Sequence, residues 1–217
     1  MRKDIQPSYQ YIENCYQQEN EQMQLSRKFA DQLGLGGISV SHTEAHLMGF
    51  LVGLIKPKKV VEIGTLTGLS CQYFLQSLQQ DGTIYTLEKS AEHIALATQA
   101  LKPWIERGQC VVVPGDAKEE LPKLSAQGPF DAIFIDGNKA AYKDYWIWAK
   151  NNIRSGGMIL IDNVFLAGSV WGDMSKQKFS DKQIQTVKEM TSDVFASADF
   201  TASFVPTEEG LLIAVRK

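Results

Sequence analysis

The chain has little cysteine, little histidine and no long apolar run. Its three cysteines among 217 residues, Cys15, Cys71 and Cys110, are odd in number and far apart. They match no zinc-ligand spacing and point to a reducing compartment, not a disulfide-stapled secreted fold. His42, His46 and His93 are too scattered for a ligand set, and packing or surface roles are expected of them. No stretch approaches the roughly 18 apolar residues of a membrane helix. The opening Met1-Arg2-Lys3-Asp4 is polar at once and carries no apolar signal core. A cytoplasmic protein without a membrane partner is expected. Positive charge is scarce too: 22 Lys and Arg against 25 Asp and Glu leave a net −3. The basic footprint of a nucleic-acid binder is missing, and a small partner fits better. The remaining balance, 44% hydrophobic and 22% charged, is that of a globular chain of one or two domains.

Residues 4–33 are rich in Gln, Glu and Asn, with Tyr9, Ile12, Tyr16, Met23, Leu25 and Phe29 at roughly helical spacing. One or two helices are expected there, closed by Gly34, Gly36 and Gly37. Ser41 followed by Glu44 is a capping-box pattern, and Pro57 closes the helix it opens. From residue 58 short β-branched runs alternate with helical stretches. Strands are expected at 60–63, 83–87, 110–113, 132–135 and 158–161. Helices are expected at 69–78, 91–105, 117–124 and 139–152. Such alternation means a parallel sheet with helices on both faces. A helix capped by Ser180 and Gln183 follows, then the alternating Phe200, Ala202 and Phe204, a turn, and Leu211 to Val215. That is a hairpin whose last strand runs antiparallel. The fold class is therefore α/β: five parallel units plus a C-terminal antiparallel hairpin, seven strands in all. Residues 1–40 are read as a helical appendage, a cap or a dimer contact, and 41–217 as the main domain.

Parallel α/β sheets bind ligands at the carboxyl ends of their strands. The first such loop is Glu62-Ile63-Gly64-Thr65-Leu66-Thr67-Gly68-Leu69-Ser70. Its glycines let the backbone turn and approach a ligand. Their spacing is G-x-x-x-G, not the G-x-G-x-x-G of dinucleotide sites, and Glu62 disfavours an anionic ligand. Glu88 ends the second strand, where a carboxylate can accept from both ribose hydroxyls. Asp116-Ala117 follows the third strand, where an adenine can lie. Together they favour a neutral or cationic nucleoside over a dinucleotide.

The fourth and fifth strands both exit into carboxylates: Asp136 after Ile135, and Asp162, with Asn163, after Ile161. Neighbouring parallel strands bring these groups to one edge. Two carboxylates and an amide oxygen, with no Cys or His, select a hard cation: magnesium first, Mn²⁺ or Ca²⁺ next.

The run from Val61 to Ser70 closely resembles the first motif of the cation-dependent O-methyltransferases, the caffeoyl-CoA and catechol O-methyltransferase type, which use S-adenosyl-L-methionine (SAM). The resemblance runs from about Ser39 to the C-terminus. It implies a Rossmann-like SAM methyltransferase sheet. It implies that Glu62, Gly64, Thr65 and Ser70 contact SAM, with Val40 before the capping box and Asp136 beside them. Glu88 holds the ribose and Asp116-Ala117 meets the adenine. The metal ligands fall on Asp136, Asp162 and Asn163. The Asp-x-x-Lys pattern makes Lys139 the general base, so that Lys139 and Asp136 are the catalytic pair. A homodimer is implied as well. A divalent cation on two vicinal oxygens favours the phenolate, which attacks the SAM methyl in line, giving an O-methyl product and S-adenosylhomocysteine (SAH).

The chain also departs from that pattern. Asp-Ala-Asp-Lys is Asp136-Gly137-Asn138-Lys139 here, and the usual Leu-Trp after Asp-Asn is Phe165-Leu166. These changes leave SAM and metal binding in place and bear on the acceptor pocket, which Trp171 can border. Trp104, Trp146 and Trp148 are read as packing residues. The alternatives are a SAM methyltransferase of this fold with a non-catechol acceptor such as a nucleobase or protein, a nicotinamide-dependent oxidoreductase, and a non-catalytic SAM-binding module.

Overall fold

Seven strands account for every β-branched run singled out above. They are β1 (Lys59–Ile63), β2 (Thr83–Glu88), β3 (Cys110–Pro114), β4 (Phe130–Ile135), β5 (Ile153–Ile161), β6 (Phe200–Val205) and β7 (Leu211–Arg216). The helices are α1 (Pro7–Cys15), α2 (Glu21–Gln32), α3 (His42–Leu54), α4 (Leu69–Ser77), α5 (Ala91–Ala100), α6 (Lys102–Glu106), α7 (Ala117–Leu124), α8 (Tyr142–Asn152) and α9 (Asp181–Ala196). The structure, a computed structural model, describes residues 7–173 and 178–217, so residues 4–6 of the expected N-terminal helical region lie outside it. The sheet order is β3-β2-β1-β4-β5-β7-β6. β4 pairs in parallel with β1 and β5, and β2 with β3. β7 is antiparallel to both β5 and β6, so the terminal hairpin inserts its last strand next to β5. The expected mixed α/β sheet is borne out.

The chain divides into two compact units: Met1–Lys58 with Thr65–Gly115, and Lys59–Gly64 with Asp116–Lys217. In the first, α3 packs on α4 through a glycine. A Cβ on Gly49 would stand 3.2 Å from the Tyr73 carbonyl oxygen, and Ser77 Oγ donates to the Gly49 carbonyl at 2.7 Å. Both expected capping boxes form: Ser41 with Glu44 opens α3, and Ser180 with Gln183 opens α9. The core of the second unit is the apolar run of β4 and β5, where Ile133, Ile135, Ile159, Leu160 and Ile161 are fully buried. Trp146 of α8 is buried against Phe200 with ring centroids 5.0 Å apart, as a packing residue should be.

Two elements differ most from expectation, beyond shifts of one to three residues at other ends. The helix expected over 91–105 is broken at Leu101, between α5 and α6. Pro103 has no N–H for the carbonyl one turn back and its ring clashes there, so it starts a new helix at its first turn instead of continuing the old one. β5 begins at Ile153, five residues before the expected Met158. Its pairing with β4 jumps from Phe130↔Ile153 to Ala132↔Met158, because the Gly156-Gly157 pair bulges out. A Cβ on Gly157 would stand 2.9 Å from the Asp131 carbonyl oxygen, and Gly156 has φ +71°, so both positions call for glycine. Among the described residues no helix is long and apolar enough to cross a membrane.

Candidate functional site

The loop that leaves β1 turns through three left-handed residues, Gly64 (φ +101°), Leu66 (+51°) and Gly68 (+85°), before α4 begins. Leu66 pays a steric cost for that conformation, and its N–H is held by Glu88 Oε2 at 3.0 Å. The Gly68 N–H closes the turn on the Thr65 carbonyl at 2.8 Å. Thr65 Oγ1 lies 2.5 Å from Thr86 Oγ1, tying the turn to β2. Thr67 is buried and its Oγ1 has no partner. The two glycines have a reason the sequence did not disclose. A Cβ on Gly64 would sit 2.3 Å from the Asp136 carbonyl oxygen, and one on Gly68 2.9 Å from the Leu101 side chain. Neighbouring chain, as well as the turn itself, demands them.

Glu88 ends β2 with its carboxylate fixed by three backbone N–H groups. Oε1 accepts from Lys89 and Ser90, both at 2.9 Å, and Oε2 from Leu66. A carboxylate has about four lone-pair positions, so Oε2 is the oxygen with capacity left for a ligand hydroxyl. Ser70, in the first turn of α4, is buried. Val40 is buried, and its carbonyl accepts from Arg27 Nη1 at 3.3 Å. These residues, with Thr65 and Glu88, belong to the first unit.

The second unit holds the rest. Glu62 is fully buried within β1, opposite Phe134 of β4. Asp116 is the N-cap of α7, its Oδ1 accepting from the Lys118 N–H at 2.9 Å, and Ala117 opens the helix. At the ends of β4 and β5 the expected juxtaposition is present. Ile135 is in register with Ile161, and the Asp162 N–H donates to the Ile135 carbonyl at 3.0 Å, so Asp136 and Asp162 leave adjacent strands in step. Lys139 Nζ donates to Asp136 Oδ1 at 2.8 Å and contacts the Tyr142 hydroxyl, which in turn donates to the Asp162 carbonyl at 3.0 Å. Burial alone would lower the pKa of Lys139. The charge of Asp136, with Tyr142 and Asp162 behind it, outweighs burial and holds the ammonium above the ordinary lysine range.

Asn163 takes a left-handed φ of +60°, which asparagine tolerates better than most side chains. Its Nδ2 donates to Glu209 Oε2 at 2.8 Å, which turns Oδ1 the other way. That oxygen is buried and has no partner. A buried acceptor without a donor is costly unless a ligand satisfies it. Glu209 comes from the turn before β7, and the backbone is stitched there as well: the Phe165 N–H donates to the Glu209 carbonyl at 3.0 Å. Phe165 carries the exposed Trp171 edge-on at 5.5 Å. Among the described residues no three His, Cys, Asp or Glu form a metal-holding group. The strand-end set contains two carboxylates and an amide, and its hard oxygen donors with one orphaned oxygen fit a hard divalent cation.

Sequence reasoning missed Tyr142 and Glu209. Tyr142 stands three residues after Lys139, a spacing that puts both on one helical face. Glu209 had no signal of its own, since its partner is 46 residues away.

A family model described as O-methyltransferase matches residues 13–217, so the match reaches further toward the N-terminus than Ser39 and takes in all of α2. The chain is 31% identical over 169 residues to a catechol O-methyltransferase of Niastella koreensis, covering 77% of this chain and 76% of that protein. Among solved structures it is similar to an O-methyltransferase from Bacillus cereus in complex with SAH, at 26% identity and TM-score 0.86, covering 96% of each chain. It is also similar to the O-methyltransferase TomG from Streptomyces achromogenes, involved in tomaymycin synthesis and solved with SAM, at 25% identity and TM-score 0.86, covering 95% of this chain and 94% of that one. A nicotinamide-dependent oxidoreductase is thereby set aside. The chain belongs to the O-methyltransferase family and is a SAM-dependent O-methyltransferase.

Proposed function

We propose that the chain is a divalent-cation-dependent O-methyltransferase whose acceptor is a small phenol with two vicinal hydroxyls, as in a catechol. The observation that carries this reading is the buried, unpartnered Oδ1 of Asn163, next in sequence to Asp162 and just past the end of β5, the strand paired with the β4 that Asp136 follows. Asp136, Asp162 and Asn163 would hold the cation, Mg²⁺ before Mn²⁺ or Ca²⁺. A divalent cation there supplies Lewis acidity toward a hydroxyl oxygen and offsets the two carboxylates. Glu209 orients the Asn163 amide and Tyr142 braces Lys139 against the Asp162 carbonyl. Lys139, whose charge burial opposes, is read as the general base whose amine would take the proton of the acceptor hydroxyl. The methyl leaves the SAM sulfur for that oxygen, giving SAH and a methyl ether, and no bond to the protein forms. Glu88, through Oε2, is read as the ribose acceptor. Val40, Glu62, Gly64, Thr65, Ser70 and Asp136 are read as the other SAM contacts, with Asp116 and Ala117 at the adenine.

The name of the Niastella relative supports a catechol acceptor. A homodimer is supported by α3, where Phe50 and Leu54, one turn apart, are 66% and 62% exposed. A cytoplasmic enzyme acting on a small molecule completes the reading. Labelled methyl transfer to catechol and to a matched phenol with a single hydroxyl tests the acceptor class. Catechol is expected to be preferred by about a hundredfold or more, because a site built for two oxygens rejects the analogue lacking one. Equal turnover of both phenols would overturn the vicinal-diol assignment.

A further inference from the structure

Two adjacent residues of α2 reach backbone carbonyls in the two segments of the first unit that the proposed reading gives to SAM. Ser26 is fully buried. Its Oγ donates to the Thr67 carbonyl at 2.7 Å and accepts from Gln72 Nε2 at 2.8 Å. Gln72 of α4 is fully buried as well, and the same nitrogen donates to the Gln22 carbonyl at 3.2 Å, one turn earlier on α2. Arg27, the next residue, donates from Nη1 to the Val40 carbonyl at 3.3 Å. Its guanidinium is held by both oxygens of Glu19, at 2.5 and 2.6 Å, and Glu19 accepts from the Tyr73 hydroxyl at 2.7 Å.

This polarity asks for an explanation. Alanine is the better helix former and needs no partner when buried. The same face of α2 already carries buried Met23 and Ala30, one turn to either side of Ser26. A serine there earns its place only through its bonds, and both its donor and its acceptor are used. Thr67 lies between Leu66 and Gly68, both left-handed.

We propose that α2 is a positioning element for SAM. Ser26, backed by Gln72, fixes the Thr67 carbonyl and with it the 65–68 turn, while Arg27 fixes the Val40 carbonyl. This rests on the reading that these two segments hold SAM. Without the Ser26 hydroxyl the turn spends less time in the binding geometry, and apparent affinity falls in proportion. The methyl-transfer step with SAM saturating is left alone.

The test measures SAH affinity by calorimetry, kcat and KM for SAM, and hydrogen exchange of the peptide covering residues 64–70. The proteins are the full chain, Ser26→Ala, Ser26→Cys, Gln72→Met and Glu88→Ala. Ser26→Ala is expected to weaken SAH binding and raise KM for SAM by about tenfold, the worth of the one buried hydrogen bond that holds the Thr67 carbonyl. It should keep kcat within about twofold and speed exchange in 64–70. Ser26→Cys, which keeps a weak donor in a similar volume, should fall between. Gln72→Met removes the backing bond to Ser26 together with the bond to the Gln22 carbonyl but leaves the Ser26 hydroxyl on Thr67. It should show the same pattern more weakly, which keeps the test sound if Ser26→Ala fails to fold. Unchanged SAH affinity and exchange in Ser26→Ala and Gln72→Met, with Glu88→Ala impaired, would overturn the role of α2. Unchanged affinity in Glu88→Ala as well would overturn the SAM reading beneath it.

Discussion

Replacing Lys139 with methionine is expected to lower kcat by about 10²- to 10⁴-fold, the usual contribution of a positioned acid or base. Affinity for SAH should stay within about twofold. Methionine keeps most of the volume and flexibility of the lysine stem, so the packing against buried Tyr142 survives. The amine is lost. Asp136 loses its 2.8 Å partner, but its side chain is 28% exposed and water can take the vacated position. Stability should therefore change far less than turnover, and thermal melts run beside the kinetics separate the two. Lys139→Arg is an instructive companion. It keeps a cation beside Asp136 but holds its proton permanently, so it should be as inactive as the methionine variant. A kcat close to wild type in either variant would reduce Lys139 to a structural counter-ion of Asp136.

The second large effect belongs to Asp162. Asp162→Asn keeps the shape of the side chain in a residue that is 4% exposed and leaves its backbone bonds, to the Ile135 carbonyl and from the Tyr142 hydroxyl, in place. It removes one of the two charges that would hold a cation. Turnover should fall by about 10³-fold or more, since a Lewis acid supplies several kcal/mol of transition-state stabilisation. Mn²⁺ affinity, read by electron paramagnetic resonance, should fall in parallel. Asn163→Gly makes the complementary cut. Glycine accepts the φ of +60° without strain, so only the amide and its buried oxygen are removed. It too should weaken Mn²⁺ binding. Full Mn²⁺ affinity in both variants would mean that the ends of β4 and β5 do not hold the cation.

Much of this architecture was legible because its signals are local. Strand-length apolar runs, the Ser41–Glu44 and Ser180–Gln183 boxes and the acids that end β4 and β5 each announce themselves within a few residues. The parallel register then does the rest, since it brings Asp136 and Asp162 into step without any further signal. What the sequence hid depends on distant partners. Glu209 matters because Asn163 points at it, and Ser26 because Thr67 lies 41 residues on. Gly64 and Gly68 were assigned to ligand approach, yet the atoms that crowd them are the Asp136 carbonyl and the Leu101 side chain. The break at Leu101 and the bulge at Gly156-Gly157 were visible as Pro and Gly, but a single proline near a helix end or a glycine pair before a strand leaves the boundary open by several residues.

The most direct test of cation dependence is methyl transfer from labelled SAM to catechol by the wild-type chain. It is run after dialysis against EDTA and again after adding Mg²⁺, Mn²⁺ or Ca²⁺, with Asp162→Asn alongside. Activity that disappears with EDTA, returns with a hard cation in the wild type and stays absent in the variant is the expected result. Catechol turnover that survives both EDTA and the substitution would contradict it.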